Sequence, residues 1–252
     1  MTSSPTTAST TCQDRTVELL RLLGRVPDPR DPRGVRYPLA GMLAVSVTAV
    51  LAGARSFAAI GEWADELSAD GLAGLGLSAA PEESTLRKLF ARLDVAALDR
   101  QLGVFAWTRT RHATGRRVIA IDGKTVRGAG ARGAPAPHLV AGLDHATGVV
   151  LGQVAVSAKS NEIPAARDLL AGFDPADLRG CVITVDAMHT QTDTAETILA
   201  AGADYVFTVK ANQCATRRAD TSPLKAGQTR REVCWVRCLT WIRKVKGTRA
   251  WQ

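Results

Sequence analysis

Two short apolar runs set the tightest limits on how this chain can fold. VIAID and CVITVD are rich in β-branched residues and too short for helices, so both read as buried strands. Each closes on a lone aspartate, Asp122 in the first and Asp186 in the second. Open α/β sheets gather their chemistry at the C-terminal ends of their strands, which is where both carboxylates are expected. Two further strands and a helix lie between them. That order suggests a nuclease-like metal site in which two aspartates share a divalent cation.

The hydrophobic period changes along the chain near Arg116. Before it, the pattern is helical. Residues 1–13 are polar and read as disordered, and TVELLRLLGRV then carries Val17, Leu20 and Leu23 on one face. VPDPRDPRG is a proline-punctuated turn, and Pro38 opens an apolar helix through LAGMLAVSVTAVLAGA. SFAAIGEWADEL, ESTLRKLFARLD and DVAALDRQLGVFAW continue helically, with a Gly-rich link after the first of these. Residues 14–108 therefore form an all-helical domain.

After Arg116 the expected order is βββαβαβ over residues 116–213. The strands are VIAIDGKTV, HLVAGLDHATG, VVLGQVAVSA, CVITVD and DYVFTVKAN, with a turn at Ala146-Thr147-Gly148 between the second and third. NEIPAARDLLAGF is a helix capped by Asn161, and TDTAETILAAG is a helix closed by Gly202. The fold class is α/β, a helical domain followed by a sheet domain.

The net charge of +8 resides in one place. Residues 214–252 hold ten Lys or Arg and two Asp or Glu, so 32 less 10 and 24 less 2 leave 22 of each sign for the body. The same stretch has three of the five cysteines and three of the five tryptophans. Arg outnumbers Lys 25 to 7, as in GC-rich coding DNA, and the abrupt change after Gln213 reads as an out-of-frame end. A basic DNA-binding tail is the alternative. Cys12 and Cys181 are too scattered for a disulfide framework, which fits a reducing, cytoplasmic setting. Cys234 and Cys238 give only a weak zinc signal. The N-terminus lacks a signal-peptide core, and the longest apolar run falls short of the ~20 residues that span a bilayer.

Several polar residues accompany the two aspartates. DGKTVRG lacks the spacing of a phosphate-binding P-loop and reads as a turn that brings Lys124 and Arg127 to a DNA backbone. Lys159 and Asn161 follow the third strand, and Lys210 follows the fifth, where each is a candidate phosphate contact. His189 follows Asp186 by three residues and is a candidate for phosphate contact or proton transfer. GEWADEL with ESTLRKLFARLD has helix-turn-helix character, with Arg87 and Lys88 near the start of the second helix. A packing or dimerisation role is the plainer reading of the same helices.

IAIDGKTVRGA, HLVAGLDHATGVVLGQVAV, AKSNEIPA, TVDAMHTQ and ADYVFTVKANQ together resemble the DDE-type insertion-sequence transposases of the ISAs-one group, relatives of the H-repeat-associated proteins. VPDPRDPRGVRYPL, VLAGARSFAAIGEWA and ESTLRKLFARLD resemble the helical domain that accompanies them. The resemblance covers about residues 15–213. It implies a ribonuclease-H-like catalytic core, with Asp122 and Asp186 as the first and second metal-binding acids for Mg²⁺ or Mn²⁺. It implies strand cleavage and strand transfer on double-stranded DNA, at transposon ends and target, by a synaptic homodimer. The family's third acid, a Glu on a later helix, has no match here. Glu232 lies in a different setting, so the catalytic domain reads as incomplete, without its last helix, and the chain as inactive in transposition. A non-catalytic DNA-binding relic or regulator, and a ribonuclease-H-like nuclease without end preference, are the competing readings.

Overall fold

The computed structural model describes residues 6–110, 115–129, 136–156 and 161–207. The chain divides into two compact units, Met1–Thr108 and Arg109–Gln252. Among the described residues of the first unit six α-helices follow one another: α1 (Thr6–Leu23), α2 (Leu39–Leu51), α3 (Phe57–Asp65), α4 (Ala69–Gly74), α5 (Glu83–Phe90) and α6 (Val95–Arg109). α2 is apolar on nearly every side, and it forms the centre of the core with Met42, Leu43, Ala44 and Val45 fully buried. Leu23 of α1 and Leu86 of α5 are likewise fully buried in this core. Ser56 and Ser68 start α3 and α4 by accepting from the amides of Ala59 and Gly71, both at 3.1 Å.

Two departures from expectation concern helix length. α1 begins at Thr6, so of residues 1–13, expected to be disordered, the last eight are helical. Thr and Ser cost only tenths of a kcal/mol against Ala once a helix is propagating (roughly 0.5 each), which polar composition alone conceals. The Gly-rich link after α3 contains α4, started by the Ser68 cap. The proline-rich turn is anchored by Arg30, whose guanidinium spans Asp28 Oδ2 at 2.7 Å and the carbonyl of Tyr37 at 3.0 Å.

The second unit contains β1 (Val118–Thr125), β2 (His138–Asp144), β3 (Val150–Ala155), α7 (Glu162–Gly172), α8 (Pro175–Leu178), β4 (Val182–Val185), α9 (Thr192–Ala200) and β5 (Asp204–Phe207). The expected order βββαβαβ is present, with the four-residue α8 added. One mixed sheet has the order β3-β2-β1-β4-β5. β1 is antiparallel to β2 and parallel to β4, and β4 is parallel to β5. β1 is therefore central, as its buried Ile119 and Ile121 require.

Glycines let α7 sit close to the sheet. A Cβ on Gly142 of β2 or Gly152 of β3 would lie 3.3–3.4 Å from the Phe173 ring, beside Leu169. The β2–β3 turn falls where Ala146-Thr147-Gly148 places it, with Gly148 at φ +70° and its amide bonded to the Asp144 carbonyl at 2.8 Å. Gly202, at φ +76°, closes α9 as expected.

Candidate active site

Parallel pairing between β1 and β4 runs from Val118↔Val182 to Ile121↔Val185. The next residue on each strand is an aspartate, Asp122 and Asp186. Neighbouring strands lie about 4.8 Å apart, and residues in register on parallel strands leave the sheet on the same side. Ile121 and Val185 are buried while Asp122 and Asp186 are both exposed, in keeping with one shared flip of face. The two carboxylates are thus neighbours at the point where the two central strands part.

Their settings differ. Asp186 ends β4 as expected and starts a single 3-10 turn, Ala187–His189, with its Oδ1 accepting from the Met188 amide at 2.9 Å. Asp122, expected at a strand end, lies inside β1, which continues to Thr125 against β2. The sequence VIAIDGKT has no turn residue after Asp122 other than Gly123, and β2 supplies a partner for every residue to Thr125. Lys124, expected in a turn, is for the same reason an exposed residue of β1, while Arg127 is exposed in the following 3-10 turn, Arg127–Ala129.

The other expected contacts are dispersed. Asn161 uses its side-chain oxygen to cap α7, accepting from Ile163 at 3.0 Å. His189, expected as a phosphate contact, is 1% exposed and offers a phosphate no surface in this structure. Ala187 of the same turn is buried with it, whereas Met188 between them is exposed. In the first unit Arg87 pairs with Glu83 one helical turn away and lies 5.4 Å over the Phe57 ring, whereas Lys88 is exposed. Lys159, Lys210 and Glu232 lie outside the described residues.

A residue that the sequence reading passed over stands beside the pair. Glu162, the first residue of α7, is hydrogen-bonded through Oε1 to His138 Nε2 at 2.6 Å. Its Oε2 lies 3.7 Å from Nε2 of the buried His189. Its carboxylate also occupies the space where a Cβ on Gly123 would be. The available signal was local: Glu162 follows the capping Asn161 and precedes an apolar run.

Asp122 and Asp186 offer oxygen ligands only, a donor set suited to hard cations such as Mg²⁺. Asp186 Oδ1 is engaged by the Met188 amide, which leaves Oδ2 for an ion. Among the described residues no group of three or more His, Cys, Asp or Glu is arranged to hold a metal. The pair offers two carboxylates, fewer than such a group needs.

The amino-acid sequence matches a known class. Residues 113–244 match the family described as Transposase DDE domain, and residues 20–106 match the DDE_Tnp_1-associated domain. The chain belongs to the DDE transposase family. The first match runs past Gln213 into the basic stretch.

Named relatives agree. The "Putative transposase YncI" of Escherichia coli K12 is 36% identical over 77% of this chain and 78% of its own length. The "H repeat-associated putative transposase YbfD" of the same strain is 31% identical over 82% of this chain and 83% of its own. The YncI protein of strain O157:H7 is also 36% identical, but the chain spans only about half its length (50%). A solved piggyBac transposase synaptic complex with hairpin DNA aligns over 88% of this chain and 48% of that one, at 12% identity and a TM-score of 0.35.

Proposed function

We propose that this chain carries the catalytic core of an insertion-sequence transposase that cleaves and joins DNA at the ends of its element. The observation that carries the reading is the in-register pair Asp122 and Asp186 on the two central parallel strands, in a chain of the DDE family. The sheet order β3-β2-β1-β4-β5, antiparallel on one side of β1 and parallel on the other, supports a ribonuclease-H-like core.

A divalent ion, Mg²⁺ or Mn²⁺, supplies an activated water or hydroxyl and a stabilised leaving oxygen when bound. Asp122 and Asp186 would hold it, with the Asp186 carboxylate oriented by the Met188 amide. Lys124 and Arg127 lie in and just after the same strand, exposed, where they neutralise the phosphates of an incoming strand. The third acid of the family is sought beyond β5, outside the described residues. Such work on chromosomal DNA places the protein in the cytoplasm, and no helix among the described residues is long and apolar enough to cross a membrane. Pairing of two DNA ends calls for a homodimer.

The test uses duplexes taken from the DNA flanking the gene, incubated with the full chain and Mg²⁺ or Mn²⁺. Nicking at an element end that vanishes in Asp122→Asn and Asp186→Asn supports the reading and refutes the expectation that this chain alone is inactive in transposition. End-specific binding without cleavage, unchanged by Asp122→Asn, would establish the non-catalytic DNA-binding relic instead. Cleavage without end preference or strand joining would establish a plain nuclease.

A further inference from the structure

The backbone ladder between β1 and β4 stops at Ile121↔Val185. From Asp122 onward β1 is bonded only to β2, and from Asp186 onward the chain turns away into Ala187–His189. The two aspartates therefore stand one residue past the last β1–β4 pair. A site built from them gains from a brace where the pairing ends, because a metal site loosened by even an ångström loses its geometry.

Glu162 is placed to be that brace. One carboxylate oxygen takes the hydrogen bond from His138 Nε2 at 2.6 Å. His138 is the register partner of Thr125, the last residue of β1, and its Nδ1 lies 2.8 Å from Thr125 Oγ1. The second oxygen faces His189 Nε2 at 3.7 Å, and His189 belongs to the turn that Asp186 starts. The His189 amide is bonded to the Asp186 carbonyl at 3.2 Å. One side chain thus reaches from the end of β1 to the turn after β4.

Gly123 makes this reach possible. A Cβ there would fall 2.2–2.5 Å from the Glu162 carboxylate atoms, so any larger residue displaces it. Gly123 has no positive φ, so the glycine is needed for space rather than for backbone freedom. Successive strand residues face opposite sides of the sheet. Glu162 packs on the Gly123 side, and Asp122 leaves from the other. The carboxylate therefore stands behind the aspartate pair rather than among its ligands, in accord with the lack of a three-ligand cluster among the described residues.

We propose that Glu162, seated against Gly123 and joining His138 to His189, is a positioning residue that holds Asp122 and Asp186 in register past the end of their strand pairing. The proposal rests on the two aspartates forming the divalent-ion site. Gln at 162 keeps an oxygen acceptor for His138, Ala removes it, and Gly123→Ala pushes the carboxylate away without deleting it.

The experiment is a Mn²⁺ titration of the full chain, read by the electron paramagnetic resonance of free Mn²⁺. Amide hydrogen exchange over residues 122–125 and 186–189 is followed alongside it, with circular dichroism to confirm folding. Loss of a residue that orients metal ligands weakens binding by roughly 10–100-fold. Glu162→Ala and Gly123→Ala are expected to weaken Mn²⁺ by about tenfold at least and to speed exchange in both distant segments. Glu162→Gln is expected to stay near wild type. A loss in Glu162→Gln equal to that in Glu162→Ala overturns positioning in favour of direct ligation. Unchanged affinity and exchange in Glu162→Ala and Gly123→Ala overturn it outright. Should Glu162→Ala not fold, Gly123→Ala and Glu162→Gln decide between the same outcomes. If the wild-type chain binds no Mn²⁺, or Asp122→Asn leaves binding intact, the metal-site reading fails. The exchange data then judge the brace alone: exchange confined to α7 in the variants refutes it.

Discussion

The proposed function gives Asp186 two separable duties, and two substitutions pull them apart. Its Oδ1 accepts the Met188 amide at 2.9 Å and so fixes the turn after β4, while its charge is free to hold a cation. Asp186→Asn retains a side-chain carbonyl at the same position, whereas Asp186→Ala leaves the amide to water. Loss of such a cap costs about 1 kcal/mol, within a range of roughly 0.5–2, and an Asp-to-Asn exchange costs little of that. For a unit the size of Arg109–Gln252, 1 kcal/mol moves the midpoint of thermal unfolding by about 2–4 °C. The expected result is a melting temperature lower by about 2–4 °C in Asp186→Ala and almost unmoved in Asp186→Asn. Both variants lose divalent-ion binding, since both lose the carboxylate. Thermal denaturation by circular dichroism and a Mn²⁺ titration read the two effects. Equal destabilisation by Asn and Ala would show that the turn is not held by this acceptor. Retained Mn²⁺ affinity in Asp186→Asn would show that its charge is not used for an ion.

Other outcomes follow from the packing and the titrating groups. A Cβ on Gly41 would meet the Leu75 carbonyl oxygen at 2.8 Å, and one on Gly61 would lie no closer than 3.7 Å to Glu83. Gly61→Ala should then stabilise by about 0.5–1 kcal/mol through helix propensity, while Gly41→Ala should destabilise by roughly 1–3 kcal/mol less that gain; urea denaturation compares them. The Arg30 side chain bonded to Asp28 holds that carboxyl below its ordinary value against the opposing effect of burial. Its stabilising effect is complete above the unfolded value near 3.9 and is lost as pH falls through the lower folded value. Acid titration of stability should thus be shallower below about pH 4 in Asp28→Asn. Burial pushes the Cys181 thiol above its ordinary value, with the cations Arg117 and Arg116 opposing. Mass-mapped alkylation at neutral pH should label Cys181 only once the chain is unfolded.

Much of the fold is legible in the residues because local and global preferences agree. The β-branched runs at Val118 and Val182 become the two central strands, and Asn161, Gly148 and Gly202 do what their chemistry favours. The short helices α4 and α8 escape notice because six and four residues carry too little periodicity to register. Asp122 is expected at a strand end, although the strand VIAIDGKTV that contains it is read through Val126, close to the observed end at Thr125. The pairing of Lys124 and Thr125 with β2, which sets the true end of β1, is a tertiary fact. The burial of His189 is likewise not apparent from the residues around it in the sequence. Glu162 is the plainest case. Its partners, His138 and His189, lie 24 residues before it and 27 after it, and no periodicity links the three.

The central claim is that the parting ends of β1 and β4 form a divalent-ion site. The most direct measurement is paramagnetic broadening of the ¹⁵N-labelled full chain by substoichiometric Mn²⁺. The amides of Asp122, Gly123, Asp186 and Ala187 are expected to broaden before all others, and to stay sharp in Asp122→Asn. Broadening centred elsewhere, with those four signals untouched, would contradict the account.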